Sequence, residues 1–213
     1  MKNFFCFLLL GLISLNVSAQ DAKAKAILDK VSEINKEYKS LKAEFTYSMD
    51  NDEEDIHEVS DGSIVLKENK YKLNLMGTDI YFDGKTQYTH IIDAEEVSIK
   101  EPGVDEDEAL NPAKIFSIYE TGFTYKYVNE VTENGKKLHV IDLFPTDNER
   151  GFTHIRLKID QATNQISALK SVGKDGNDVS IVLKKLTPNV TLTDKDFVFD
   201  TAANPDVEVN DMR

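Results

Sequence analysis

Hydrophobic and polar residues alternate most clearly between Ser60 and Lys100, where short apolar runs are separated by Gly, Asp or Asn. Such runs are typical of antiparallel strands joined by short turns. Asp83-Gly84 is the clearest turn, because Gly accepts the positive φ that a two-residue hairpin loop requires. The pattern predicts strands at Ser63–Lys67, Lys70–Met76, Asp79–Phe82, Gln87–Ile92 and Glu96–Ile99.

The strand predicted at Lys70–Met76 has one apolar face, formed by Tyr71, Leu73 and Leu75. Its other face carries Lys72, Asn74 and Met76. A strand of this kind needs a cover on its apolar side. The pattern leaves three covers open: a helix, a second sheet, or a ligand.

Further alternating runs extend the sheet on both sides of this region. They predict strands at Ala43–Met49, Ile56–Val59, Phe123–Val128, Leu138–Phe144, Phe152–Ile159, Ile166–Val172 and Val179–Leu186, with Thr193–Phe199 as a final anchor. We expect about ten strands in one strongly bent antiparallel sheet with a concave apolar face, because open sheets of this size tend to curl. The polar tail Pro205–Arg213 is predicted to be loose.

Two helices are predicted. Apolar residues recur at intervals of three and four in Asp21–Leu41, which indicates an amphipathic helix. Asn111-Pro112 provides an N-cap followed by a first-turn proline, and Gly122 provides a stop. Between them lie Ile115, Phe116, Ile118 and Tyr119. Because the preceding loop, Glu101–Ala109, is acidic and contains Pro and Gly, this short apolar helix is a candidate lid.

The first twenty residues have the order of a secretory signal peptide: a basic start, an apolar run and small residues before a cut near Ala19 or Gln20. We therefore expect a single exported domain over residues 21–213, without Cys6, which is the only cysteine. The formal net charge of −13 argues against nucleic acid as a partner, because nucleic-acid binding needs a basic surface.

Motifs for catalysis or metal binding are not evident. The four histidines lie singly, without a second ligand at metal-binding spacing. The acidic run Asp50–Asp55 lacks the glycine of a calcium loop and is predicted to be a solvated hairpin tip. Nucleophile elbows, phosphate-binding loops and dinucleotide fingerprints are likewise missing from the sequence. We expect neither a cofactor nor enzymatic activity. The alternative hypothesis for catalysis is an enzyme whose active site is built from scattered carboxylates.

Several short motifs occur in a characteristic order along the chain. They are Leu41, Ala43, Phe45 and Thr46; Gly62, Ile64, Leu66 and Lys67; Phe82, Asp83, Gly84, Lys85, Thr86 and Tyr88; Asn111 and Pro112; Ile159 and Asp160; Ile166 and Leu169; Phe197 and Phe199. In order and spacing the sequence resembles a divergent member of the LolA family, the periplasmic carriers of outer-membrane lipoproteins. The resemblance covers nearly the whole chain after the predicted signal peptide.

This resemblance implies an unclosed β-barrel of about eleven strands with helices as a lid. It implies a periplasmic carrier that takes acylated lipoproteins from an ATP-driven release transporter in the inner membrane. An outer-membrane receptor takes them over in some bacteria. The best-known members have Arg-Pro after the Gly-x-Ile-x-Leu-Lys strand, and that arginine contacts the lid. Glu68 and Asn69 stand at those positions here.

Two hypotheses explain the apolar face. In the first, a monomeric carrier binds lipoprotein acyl chains or a related lipid in a cavity lined by Phe45, Tyr47, Ile64, Leu66, Tyr71, Leu73, Leu75, Ile80, Phe82 and Tyr88, under a lid that includes Ile115, Phe116 and Tyr119. In the second, the same residues are the filled core of a secreted β-rich binding or scaffold protein without lipid. Inward apolar residues are core by default, so sequence alone does not separate the two.

Overall fold

The computed structural model describes residues 15–102 and 116–213, with side chains from residue 22 onward. Helix α1 spans Leu15–Lys36. The prediction that it continues to Leu41 is wrong, because Leu41 already begins the first strand. The amide N–H groups of Glu37 and Tyr38 donate to carbonyls three residues back, which tightens the last turn and ends the helix.

In the part of the chain that the structure describes, twelve strands and two short 3-10 helices follow α1. The 3-10 helices are Ile118–Glu120 and Asp194–Phe197. The strands are β1 Leu41–Asn51, β2 Ile56–Lys67, β3 Lys70–Leu75, β4 Thr78–Phe82, β5 Gln87–Ile91, β6 Glu96–Lys100, β7 Phe123–Glu133, β8 Lys136–Pro145, β9 Phe152–Asp160, β10 Ile166–Gly173, β11 Asp178–Pro188 and β12 Glu208–Asp211.

All twelve strands belong to one sheet, in the order β12-β6-β5-β4-β3-β2-β1-β11-β10-β9-β8-β7. Two antiparallel meanders, β1–β6 and β7–β11, are joined where β1 pairs with β11. The sheet is curved and does not close into a barrel, which confirms the predicted fold class. β6 lies beside the edge strand β12, and β7 forms the opposite edge of the sheet.

The C-terminal tail corrects one prediction. Instead of being loose, Glu208–Asp211 forms β12 and pairs in parallel with β6. The Glu208 N–H donates to the Glu95 carbonyl and the Met212 N–H to the Ile99 carbonyl, each at 2.8 Å. Backbone hydrogen bonds hold this polar strand, so its side chains gave no signal for it.

The Asp83-Gly84 turn lies within a loop of four residues, 83–86, because Phe82 pairs with Gln87. The predicted strand ends at Phe82 and Gln87 are the observed ones, and only the two-residue turn type is wrong. The Asp83 carboxylate accepts the backbone N–H groups of Lys85 and Thr86 at 2.9 and 2.8 Å. Gly84 has the expected positive φ, 99°.

The face of the sheet against which α1 packs, called the inner face, is apolar from β7 to β4. One row of paired residues crosses it without a break: Tyr127, Ile141, Leu157, Leu169, Ile181 and Tyr47, from β7 to β1. The inner face nevertheless has two differently covered regions, named here the filled half, on β7–β10, and the open half, on β11 and β1–β4.

The filled half is packed against α1. Ala24, Leu28 and Val31 of the helix are buried and share one cluster with the strand residues. Four of those strand residues are completely inaccessible to solvent: Ile141, Leu143, Leu157 and Ile159. This half is a conventional hydrophobic core.

Candidate functional site

The open half brings together nine of the ten residues predicted to line a cavity. They form one apolar cluster: Phe45, Tyr47, Ile64, Leu66, Tyr71, Leu73, Leu75, Ile80 and Phe82. Strand register explains the convergence, because Leu73 lies opposite both Ile64 and Ile80, and residues directly opposite share a face. Whether these residues contact a lipid stays a prediction.

Burial differs within this cluster. Phe45 and Ile64, near the middle of the sheet, are 5% and 4% exposed. Five other apolar residues keep part of their surface accessible to solvent: Tyr47, Leu73, Leu75, Ile80 and Phe82. Apolar side chains left half-buried along one continuous face are typical of a binding surface rather than of a finished core.

Strand β11 adds residues that the predicted lining omitted. Ile181, Leu183 and Leu186 pack against the same cluster. Their alternation was visible in the sequence, but the pairing of β11 with β1, more than 120 residues away, was not. That pairing places Ile181 opposite Tyr47 and Leu183 opposite Phe45.

Tyr88 is the exception among the predicted lining residues. It lies opposite Tyr81, whose chain neighbours Ile80 and Phe82 face the open half, so Tyr88 faces the other side of the sheet. There it packs against a separate cluster of Val97, Ile99 and Phe199. A two-residue loop would have placed Tyr88 opposite Asp79, which also faces away from the open half, so the error does not come from the loop length. The prediction placed Tyr88 on the face of Ile80 and Phe82, and Tyr88 is no longer part of the proposed lining.

The residues predicted for the lid divide between the two halves. Phe116 is 9% exposed and packs in the open half, whereas Tyr119 is 4% exposed and packs in the filled half. Ile115 and the predicted helix start at Asn111-Pro112 lie outside the described residues. Of the predicted helix, the described part contains the 3-10 helix Ile118–Glu120.

Helix α1 holds the segment that carries Phe116. The Asn35 side-chain amide donates to the Phe116 carbonyl at 2.8 Å and to the Tyr119 hydroxyl at 3.4 Å. The Ser32 hydroxyl donates to the Glu120 carboxylate. Burial raises the pKa of the Tyr119 phenol. Polar contacts with one helix face thus hold Phe116 above the open half.

A pocket of about 200 Å³ lies beside Phe116, at the end of the open half. It is lined by Asn35, Tyr38, Lys39, Ser40, Leu41, Leu66, Glu68, Phe116 and Ser117. A second void of about 10 Å³ lies where the two halves meet and is lined by Phe116, Ile166, Leu169, Ile181 and Leu183. Phe116 borders both spaces.

Glu68 borders this pocket from the turn between β2 and β3, where it has a positive φ of 56°. A carboxylate therefore occupies the position at which the best-known family members have the lid-contacting arginine. The hydrogen bonds from Asn35 connect α1 to the segment that carries Phe116 and Tyr119.

Within residues 15–102 and 116–213, no group of three or more His, Cys, Asp and Glu side chains is arranged to hold a metal ion. The helices in the same part of the chain are too short or too polar to cross a membrane.

Comparison with solved structures identifies proteins of similar fold at low sequence identity. An uncharacterized conserved protein from Thermus thermophilus matches with a TM-score of 0.58 and 10% identity, over 89% of this chain and 99% of that one. LprF from Mycobacterium bovis matches with a TM-score of 0.48 and 13% identity, over 81% and 96%. The LolA superfamily protein NE2245 from Nitrosomonas europaea matches with a TM-score of 0.43 and 11% identity, over 83% and 98%.

At such low identity the first of these matches supports the fold alone. A search of curated protein sequences finds no significant match. The family model described as outer membrane lipoprotein carrier protein LolA matches residues 36–200, well over half of the 213 residues. With the open sheet and the N-terminal helix, this match shows that the chain belongs to the LolA family.

Proposed function

We propose that this protein carries the acyl chains of lipoproteins, or of a closely related lipid, through the periplasm on the open half of its inner face. Family membership supports a carrier role. The observation on which the proposal rests is the group of half-buried apolar side chains, Leu73, Leu75, Ile80, Phe82 and Tyr47, beside the buried core of the filled half.

Burial of hydrocarbon gives such a surface its binding energy. Each acyl methylene transferred from water is worth about 0.8 kcal/mol, so a chain of about fifteen methylenes carries roughly 12 kcal/mol. Lipids with two or three such chains do not cross water unaccompanied at useful rates. A carrier has to cover them and still release them, and a partly open apolar face meets both needs without a catalytic group.

The described conformation has too little room for this cargo. The pocket of about 200 Å³ is smaller than the range of about 300 to 1,000 Å³ that is usual for small-ligand sites. We infer that loading displaces Phe116, because Phe116 packs on the apolar lining and borders both the pocket and the small void where the two halves meet. The hydrogen bonds of Asn35 to Phe116 and Tyr119 would then break or rearrange.

The partners follow from the family and not from the coordinates. We propose an ATP-driven lipoprotein-release transporter in the inner membrane as donor and, in bacteria that have one, an outer-membrane receptor as acceptor. The predicted signal peptide supports export to the periplasm, and we propose that the exported chain is a monomer of one domain, residues 21–213.

Mass spectrometry of material that copurifies from a periplasmic extract tests the proposal. We expect acylated lipoproteins or diacyl lipids, bound in a defined ratio and displaced by a fluorescent fatty acid. A protein that folds normally but retains no lipid and binds no fatty acid saturably would instead support the scaffold reading.

A further inference from the structure

The inner face changes chemistry at β5. Gln87 lies opposite Phe82, and Thr89 lies opposite Ile80, so both side chains share the inner face with the apolar lining. Ser98 of β6 lies opposite Thr89 and extends the same face by one strand. All three are half-buried. We name Gln87, Thr89 and Ser98 the polar strip.

Hydrogen bonds connect the polar strip to the open half. The Tyr71 hydroxyl, whose ring belongs to the apolar cluster, donates to the Gln87 amide oxygen at 3.4 Å. The Gln87 amide nitrogen donates to the Thr89 hydroxyl oxygen at 3.3 Å. Among the described residues, the Thr89 and Ser98 hydroxyls are not donors in any hydrogen bond, so each has a proton to offer a ligand.

Protection of the sheet edge does not account for the strip. Inward-pointing polar residues often protect an edge strand from pairing with another chain. Here the edge strand is β12, and β6 lies between it and β5. Three apolar residues of β5 and β6, Tyr88, Val97 and Ile99, are instead on the outer face, where they pack with Phe199. Ile91, at the end of β5, is on the inner face and is 45% exposed. The inside-outside pattern therefore reverses between β4 and β5.

The strip is rich in donors and acceptors but carries no formal charge at its centre. Full charges occur at its ends, where Lys100 lies opposite Gln87 and Glu96 lies opposite Ile91. Hydroxyl and amide groups suit carbonyl oxygens, whereas a carboxylate or phosphate is usually held by a cation. An ester or amide carbonyl lies at the head of each acyl chain of a glycerolipid or an N-acylated protein.

We propose that the polar strip binds the uncharged ester or amide groups of the cargo while the acyl chains lie on the apolar lining. This inference rests on the carrier function proposed above and narrows the ligand class to acyl esters and acyl amides, rather than free fatty acids or plain hydrocarbon. The strip would also fix which end of the acyl chains lies toward β6.

The test compares three ligands on the exported chain: a tripalmitoylated cysteinyl peptide, palmitate and diphenylhexatriene, which has no polar group. The variants are Thr89→Val, Ser98→Ala and the control Thr46→Val, another half-buried strand threonine that lies outside the strip. One hydrogen bond is worth about 1 kcal/mol, so we expect Thr89→Val and Ser98→Ala each to weaken binding of the peptide about fivefold. Diphenylhexatriene should bind within twofold of wild type.

Each outcome decides one part of the idea. Equal losses for the peptide and diphenylhexatriene would show that Thr89 acts through packing, and unchanged affinity for both would show that it contacts neither ligand. A larger loss for palmitate than for the peptide would indicate carboxylate recognition. Any of these overturns the inference while leaving the carrier function standing. If the wild-type protein binds none of the three ligands, both the carrier function and the inference are overturned.

Discussion

The filled half and the open half belong to one sheet, share its inner face and have the same alternating pattern. They differ in what packs over them. Leu157 and Ile141 in the filled half are completely buried beneath α1. Ile181 and Tyr47, in the same cross-strand row, remain half-buried. The difference lies in which strands the helix covers and not in the strands themselves.

Simple dimensions explain why one helix leaves part of the sheet open. A helix with its side chains is about 10–12 Å wide, whereas neighbouring strands are about 4.8 Å apart. The helix therefore covers a few strands at a time, and the inner face of this twelve-stranded sheet is much wider. The remaining apolar strands need another cover, which Phe116 supplies only in part.

The largest expected effect is a difference in the loss of stability between a substitution in the filled half and one in the open half. Leu157→Ala leaves a cavity in a packed core and should lower the free energy of unfolding by about 3 kcal/mol. Leu73→Ala removes a side chain that is already partly exposed to solvent and should cost about 1 kcal/mol. Urea unfolding monitored by circular dichroism measures both. Equal losses would mean that the open half is packed as tightly as the filled half.

The next effect concerns binding. Leu73→Glu puts a carboxylate among the acyl-binding side chains, and its desolvation should weaken binding of an acylated ligand more than tenfold while the protein stays folded. Val182→Glu is the matched control, because Val182 is 49% exposed and faces away from the open half beside Thr46. Fluorescent fatty-acid displacement measures the affinities. Unchanged binding in Leu73→Glu would remove Leu73 from the lining.

A smaller, kinetic effect is expected from Phe116→Ala. Loading no longer has to displace the aromatic ring, so an acyl probe should bind several times faster in stopped-flow fluorescence. Phe144→Ala, at a residue of β8 that is 39% exposed, should leave the rate unchanged. Slower loading in Phe116→Ala would identify Phe116 as part of the binding wall and not as an obstacle.

The smallest effect involves His139, which lies near the filled half. Burial lowers the pKa of His139 below its usual value, with Lys23 and Lys30 acting in the same direction and Glu130 opposing them. The unfolded chain therefore binds a proton more readily, and stability should fall as the pH drops from 7 through the usual pKa of about 6.5 toward the lowered folded value.

Chemical unfolding between pH 7 and 5 measures this effect. The His139→Gln variant should lose part of the decline in stability, and acyl-probe affinity should be the same in both proteins. A wild-type and variant pair with identical pH profiles would show that His139 does not contribute. A change in acyl-probe affinity would mean that the two halves are coupled.

Alternation along the chain was enough to predict most strands and to orient the side chains within them. Tyr71, Leu73 and Leu75 face together as predicted, because a strand has a side-chain period of two. The prediction for Tyr88 is wrong because residues directly opposite in a hairpin share a face, and Tyr88 lies opposite Tyr81 and not opposite Ile80 or Phe82. Strand β12 was missed because backbone groups, which every sequence has, hold it to β6.

The division of the inner face could not be predicted from the sequence. Leu157 and Leu73 sit in equally regular strand patterns, and only the path of α1 over β7–β10 makes one of them core. The hydrogen bonds from Asn35 to the Phe116 segment join residues about eighty positions apart and gave no local signal. Tertiary contacts of this kind decide whether an apolar face is filled or available.

Photo-crosslinking with a diazirine-bearing acyl chain tests the central claim most directly, because it reports which half of the inner face the chain contacts. We expect saturable adducts on peptides that contain Tyr47, Leu73, Leu75, Ile80 or Phe82, competed by unlabelled lipid, and none on peptides that contain Ile141 or Leu157. Saturable adducts concentrated on β7–β10, or labelling that unlabelled lipid does not compete, would contradict the assignment of the open half as the acyl-binding surface.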